Sequence, residues 1–331
     1  MPLGPPDDLV RRFRASLAGL AGEAATAYQT FGIAVSGGPD SLALLLLAAA
    51  ALPGRVYAAT VDHGFRPEGR TEAAFVADVC ARLDVPHDTL ALGWSPPRSN
   101  RQAGARQARY ARLAEWAIER QAGWLATAHH LDDQAETLLM RLHRGAGVDG
   151  LAGIRPIRPL GPPGADGPRL IRPLLTWSKD ELRAVVAGCG LTPMEDPSNV
   201  DPRHDRTAAR AFLEASAGWP DRHRLAASAD HLREAGEALE WVTAELLGSR
   251  LSTDGPSWLL DVRELPSDLL RRLTIRTIRQ VSGEETAVLR GDELARAIGR
   301  LRSGEVTALA GVIIRPSAGE WRFEVAPPRR S

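Results

Sequence analysis

Apolar positions in the first half of the chain follow two alternating periods. Short buried-strand runs occur at Phe31 to Val35, Val56 to Val61, His87 to Leu92 and Trp124 to Ala128. Helical spacing fills the intervals, at about Asp40 to Leu52, Thr71 to Leu83, Asn100 to Gln121 and Leu131 to His143. An amphipathic helix over 11–29 precedes them. Strands alternating with helices specify an α/β fold, a doubly wound parallel sheet covered on both faces. Ligands of such sheets bind outside the carboxyl ends of the strands. Polar clusters fall at those ends, at 36–41, 62–66 and 129–136.

The pattern changes after residue 145. Gly and Pro are dense to Pro173, with Gly161-Pro162-Pro163-Gly164 marking an exposed loop, and a helix is predicted over Ser178 to Ala187. A polar segment runs from Glu195 to Arg210, and Gly218-Trp219-Pro220 reads as a junction. Two domains are expected: a catalytic domain over 1–216 and a mainly helical one over 221–331. The second has helices near 221–248, 267–281 and 290–302, then a hairpin over Glu305 to Val325.

Composition narrows the classes. The longest apolar run, Leu42 to Leu52, has 11 residues, too short to span a bilayer, and no signal sequence opens the chain. A cytoplasmic enzyme is expected, with no membrane and no protein partner. Cys80 and Cys189 form no CxxC pair, so structural zinc, a disulfide framework and cysteine-based sulfur transfer lack support. The formal net charge is +0, so any nucleic-acid contact must come from local arginines and not from bulk charge. One candidate is Arg272, Arg276 and Arg279, spaced to share a helical face.

The first cluster is Ser36-Gly37-Gly38-Pro39-Asp40-Ser41, between a buried strand and an apolar helix. Such a loop aims backbone N–H groups and the positive end of the helix dipole at one point, an anion site. The glycines admit close backbone approach, and Ser36 and Ser41 can add hydroxyl donors. Asp40 would repel a bare phosphate, so it is expected to act through Mg²⁺. The loop is not a Walker A motif, because the chain's single lysine, Lys179, lies elsewhere.

The stretch from Ala126 to Thr137 places His129 and His130 at a strand end, with Asp132, Asp133 and Glu136 on the first turns of a helix. One carboxylate there complements the helix dipole; two histidines and three carboxylates beside a phosphate loop exceed that need. Asp62 and His63 end the second strand and are expected to line the nucleotide. Arg106 and Arg109 share a helical face, with Tyr110 one turn from Arg106.

The loop resembles the SGGxDS signature of the pyrophosphate-loop ATPases. Together with VDHGFR at 61–66, ARQARY at 105–110, the run 126–154, Arg172-Pro173-Leu174-Leu175 and Glu195-Asp196-Pro197-Ser198-Asn199, it resembles the tRNA(Ile)-lysidine synthetase family. The resemblance extends to about residue 210. It implies an adenine nucleotide α-hydrolase-like fold, with 1–216 as the pyrophosphate-loop catalytic domain and the mainly helical 221–331 as a tRNA-binding domain. It also implies a two-step reaction on isoleucine tRNA with a CAU anticodon. ATP adenylates the C2 oxygen of the first anticodon cytidine, and free L-lysine then displaces AMP.

By the same resemblance Ser36, Gly37, Gly38, Pro39, Asp40 and Ser41 hold ATP, with Asp40 on Mg²⁺. Asp133 and Glu136 position the lysine, the metal or the cytosine, and Arg106 stabilises transferred charge. His129, His130 and Asp132 line the site; Asp196, Asn199 and Arg206 form its tRNA-facing wall. The chain departs from the family at 206–210, where something like RNRIR is usual. Here it reads Arg206-Thr207-Ala208-Ala209-Arg210, so only the two arginines carry over. Two alternatives stand beside this reading: a tRNA base thiolase of the same fold and a nucleotide-binding regulatory module.

Overall fold

The structure is a computed structural model and describes residues 3–62, 68–92, 101–161, 167–194, 205–216, 218–283, 289 and 291–327. The chain runs α1 (Asp7–Ala21), α2 (Glu23–Tyr28), β1 (Phe31–Ala34), α3 (Pro39–Ala51), β2 (Val56–Asp62), α4 (Glu68–Arg82), β3 (His87–Ala91), α5 (Arg101–Glu119), β4 (Trp124–Ala126) and α6 (Leu131–His143). It continues with α7 (Val148–Leu151), β5 (Ile157–Pro159), β6 (Arg169–Ile171), α8 (Lys179–Gly188), α9 (Asp205–Ala215) and α10 (Arg222–Arg250). The helix predicted over 11–29 is two helices, because the chain breaks at Gly22, whose N–H closes α1 on the Ala18 carbonyl.

Six strands form the first sheet, in the order β3-β2-β1-β4-β6-β5. All neighbours pair in parallel except β5, which returns antiparallel along β6. Successive side chains alternate between faces. Phe31, Ile33, Ala58, Trp124 and Ala126 join one core, with Phe13 and Leu17 of α1, the leucines of α3, and Leu182 and Val185 of α8. Ala59, Leu125 and Leu170 join the other, with Tyr110, Leu113 and Trp116 of α5. Leu42 and Leu44 to Leu47 are all fully buried, because α3 lies between the sheet, α1 and α8. A helix apolar all round has to be interior, and each such leucine contributes about 1.5–3 kcal/mol.

The strand order reverses direction between β1 and β4. The loops leaving their carboxyl ends, 36–41 and 127–130, therefore open side by side at a topological switch point. Sheet order, not proximity in sequence, brings the two polar clusters together.

Gly153 supports this corner. Its φ is +63°, and a Cβ there would lie 2.5 Å from Gln134 Oε1 and 3.0 Å from Ala229 Cβ. Gln134 in turn ties α6 to Ile154, accepting from its N–H at 2.5 Å and donating to its carbonyl at 3.2 Å. Gly153→Ala is expected to lower stability by about 2–4 kcal/mol, from the left-handed backbone and the clash together. Chemical denaturation checks this, and an unchanged midpoint would show that the corner yields freely.

Two compact units divide the chain, Met1–Leu232 and Arg233–Ser331. The change falls within α10, beyond the Gly218-Trp219-Pro220 junction, because the first turns of α10 hold to the first unit through Arg222 and Ala229. The second unit adds β7 (Leu251–Asp254), β8 (Ser257–Asp261), α11 (Ser267–Ser282), α12 (Gly291–Arg302), β9 (Thr307–Leu309), β10 (Val312–Ser317) and β11 (Glu320–Val325). Long helices dominate it as expected, and the foreseen hairpin is β10–β11. That hairpin sits inside a five-stranded antiparallel sheet, order β7-β8-β11-β10-β9, packed on α11 and α12 around Leu273, Ile278, Leu301, Trp321 and Phe323.

Of the arginine face expected on α11, Arg272 and Arg276 are engaged by acids and Arg279 is exposed. Arg272 is buried and bonded to Asp268 and Glu240, and Arg276 bonds Glu240 at 2.6 Å. Helical spacing could not reveal the acidic partner, which lies on α10. No helix among the described residues is long and apolar enough to cross a membrane.

Candidate active site

The phosphate loop is braced from within. Ser41, almost buried at the start of α3, donates its hydroxyl to the Gly38 carbonyl at 2.9 Å and accepts the Ser36 N–H at 3.1 Å. Its single proton is thereby used, so the 3.2 Å contact between the two serine hydroxyls has Ser36 as donor. In this conformation Ser41 shapes the loop, and Ser36 remains exposed. Gly37 has φ +87°, a backbone a side chain would strain, and its carbonyl accepts the Met194 N–H at 3.2 Å. Pro39 begins α3, where no N–H is needed.

Opposite the loop, His130 ends the β4 connection and caps α6, its N–H bonding Asp133 Oδ2 at 3.1 Å. Its ring lies 3.5 Å from Asp40, 3.6 Å from Asp132 and 3.8 Å from Asp133. These are ion-pair separations, longer than hydrogen bonds. Burial by itself would lower the His130 pKa; Asp132, Asp40 and Asp133 override it and raise it to about 10. The imidazolium thus links the two loops by charge.

Burial would raise the Asp132 pKa, but His130, the Lys179 N–H at 2.9 Å and Arg222 at 3.1 Å hold it down to about 2. The pH consequence follows from the signs. The His130 contribution is complete below its ordinary pKa of 6.5 and is lost as pH rises through about 10. The Asp132 contribution is present above 3.8 and is lost as pH falls through about 2. Melting temperature is therefore expected to fall more steeply between pH 6.5 and 10 in the parent than in His130→Gln; equal slopes would refute the clamp.

Asp133 and Glu136 stand one turn apart on α6, both buried. Helix α9 presents Arg206 and Arg210 at matching spacing, with Ala209 and Leu213 buried on the same face. Arg206 forks across both acids, Nη2 to Asp133 Oδ1 and Nε to Glu136 Oε2, each 2.7 Å. Arg210 Nε takes Glu136 Oε1 at 2.7 Å. Burial would lower the pKa of both guanidiniums; the carboxylates raise it instead. The two arginines that remain of the 206–210 patch are those that meet these acids.

His129 bonds Thr127 through Nδ1 at 3.0 Å. Burial and the charges of Arg172, Arg106, Arg206 and Arg109 push its pKa well below the usual value, so its ring is neutral at pH 7. Arg106 is exposed on α5, its guanidinium 5.3 Å from the Tyr110 ring centre. Asp62 ends β2, beside the carboxyl end of β1. His63, Asp196 and Asn199 lie outside the described residues.

Asp132, expected to line substrate, is engaged with the start of α8 and with Arg222, a residue no motif announced. Among the described residues no group of three or more His, Cys, Asp or Glu is arranged to hold a metal. Among the described residues Asp40 is the one carboxylate with a buried oxygen, Oδ1, that has no hydrogen-bond partner. Both cysteines are buried, and burial pushes the Cys80 thiol up to about 12, so neither resembles a reactive thiolate.

A strand–loop–helix anion site at the switch of a parallel sheet defines a PP-loop domain, and the model of that family matches residues 10–216. The chain is 46% identical over 303 residues to the tRNA(Ile)-lysidine synthase of Zymomonas mobilis, covering 90% of this chain and 89% of that one. It is 44% identical over 301 residues to the enzyme of the same name from Novosphingobium aromaticivorans, covering 90% of each. The chain belongs to the tRNA(Ile)-lysidine synthase family. Among solved structures, a tRNA thiolase from Methanococcus maripaludis with its [4Fe-4S] cluster matches the fold with TM-score 0.56. That match is 16% identical and covers 69% of this chain and 80% of the thiolase, so it speaks for the fold alone.

Proposed function

We propose that this enzyme adenylates C2 of the first anticodon cytidine of CAU-anticodon isoleucine tRNA and replaces AMP with free L-lysine. The observation that carries the reading is the meeting of the 36–41 loop with the 129–136 acids at the β1/β4 switch point, in a chain 46% identical to a relative of that name. In the first step the cytidine O2 attacks the α-phosphorus and pyrophosphate leaves. In the second the lysine ε-amine attacks C2, loses a proton, and the C2–O bond breaks to release AMP. A carbonyl oxygen leaves poorly; AMP leaves well.

Backbone N–H groups of Gly37, Gly38, Asp40 and Ser41 and the α3 dipole grip the departing pyrophosphate. The orphaned Asp40 Oδ1 fits Mg²⁺, which takes one or two carboxylates and completes its shell with phosphate oxygens and water. When bound, that ion neutralises charge on the phosphates. Asp133 and Glu136 receive the amino acid. They are charge-balanced by Arg206 and Arg210, so a ligand carrying both ammonium and carboxylate can exchange partners with them without stranding a buried charge. The charge of Arg106 reaches His129, which supports a role for it in stabilising charge that develops on the transferred group.

The test is incubation with ATP and lysine, with and without CAU-anticodon tRNA, followed by mass analysis of the nucleosides. A lysine adduct at the first anticodon cytidine and tRNA-dependent AMP release are expected. AMP release that ignores tRNA, or tRNA that gains no adduct, would overturn the assignment.

A further inference from the structure

Most arginines near the catalytic sheet have an acidic partner: Arg12 pairs with Glu181, Arg120 with Asp88, Arg206 with Asp133 and Glu136, and Arg222 with Asp132. One group does not. The guanidiniums of Arg106, Arg109 and Arg158 stand 5.3, 5.3 and 4.6 Å from the centre of a single ring, that of Tyr110. Arg172, 4% exposed, adds a fourth positive charge beside the same residue. Among the described residues no carboxylate forms an ion pair with any of the four.

Several donors of this cluster are also idle. Arg172 donates to the Arg155 carbonyl, and Arg158 only weakly to the Pro159 carbonyl at 3.4 Å. Arg109 Nε, Arg172 Nε and the Tyr110 hydroxyl are buried with no hydrogen-bond partner. Like charges gathered around one residue, with the buried Arg172 among them and donors unused, repel one another until an anion joins them.

Tyr110 responds to this field. Burial would raise its pKa, and the four arginines lower it instead.

The place of the cluster separates it from the nucleotide. The phosphate loop leaves β1, whereas Arg158 lies on β5, Arg172 directly follows β6, and Arg109 and Tyr110 lie on α5. In the sheet β4 stands between β1 and β6, so the connection carrying His129 divides the two anion sites. Arginines gathered around a buried hydroxyl suit a phosphate, which offers several acceptor oxygens at once.

We propose that Tyr110, Arg109, Arg158 and Arg172 form a pocket for a backbone phosphate of the RNA strand, distinct from the loop that holds the triphosphate. This rests on the RNA-modifying reading above and names one subsite of it. Its effect is to set the register in which the strand offers its cytidine.

The test uses the full chain with CAU-anticodon tRNA. Arg158→Gln and Arg109→Gln are chosen because both side chains are only partly buried, unlike Arg172. Fluorescence anisotropy across a salt series should show the tRNA Kd rising about tenfold. The slope of log Kd against log salt should shrink by about 0.7, one single-strand phosphate contact. Calorimetric binding of MgATP should stay within about twofold of the parent.

Unchanged RNA affinity and slope would overturn the pocket. Loss of ATP binding with RNA binding intact would assign the phosphate to the nucleotide and overturn it equally. Lysidine formation by the parent is read separately. A parent that forms none, with variants that still lose RNA affinity, refutes the proposed reaction and retains the pocket.

Discussion

Asp40→Ala is expected to lower lysidine formation by about 10³-fold while the chain stays folded. Asp40 is partly exposed, its nearest charged partner is 3.5 Å away, and its Oδ1 touches no donor. Its removal deletes little packing and leaves Asp132 and Asp133 to balance His130. What disappears is the carboxylate proposed to hold the metal of bound ATP, which the free fold does not need. Single-turnover adduct formation, measured beside a thermal melt, separates the two effects. Turnover within tenfold of the parent would remove Asp40 from the chemistry.

Glu136→Ala should be costly in both respects. Glu136 is 2% exposed, and each of its oxygens accepts a guanidinium at 2.7 Å. Breaking a fully buried pair costs about 3–5 kcal/mol. Arg206 and Arg210 keep 39% and 29% of their side-chain surface in solvent, so roughly 2–3 kcal/mol is expected here. Modification should fall below detection, since one of the two acids proposed to receive the amino acid is gone.

Combining Glu136→Ala with Arg210→Ala distinguishes a latch from an isolated charge. The double variant should recover part of the loss, with a coupling of about 1–3 kcal/mol. Additive losses would mean that α9 does not depend on this pair.

The two variants differ because the two acids are held differently, and that difference was not legible in the sequence. Local pattern placed Asp40 after a glycine turn and Glu136 one turn beyond Asp133. It did not disclose that Glu136 is neutralised from 70 and 74 residues away. Nor could it show that Asp132 is engaged by the start of α8 and by Arg222. Arg272 misled for the same reason: its helical face was legible, its partner Glu240 was not.

The strands that were missed, β5 to β9, have 3 to 5 residues each. Runs this short carry too little periodicity to separate from the Gly- and Pro-rich loops around β5 and β6, or from the end of a long helix before β7.

The sequence by itself determined the alternation of strands and helices, the anion loop at 36–41 and the acidic helix start at 131–136, since each depends on neighbours a few residues apart. Backbone conformation and side-chain periodicity are local, and local order survives in a string. The tertiary structure decided what those parts do to one another. The reversal between β1 and β4 set loop against loop, and α9 supplied the counter-charges of the acids. Helix α5, packed on β2 and β4, meets Arg158 of β5 and Arg172 after β6 at Tyr110, which left four arginines around one tyrosine with no acid of their own among the described residues. Electrostatic energy depends on distance in space and on exclusion of water, and neither is written in the spacing of residues along a chain.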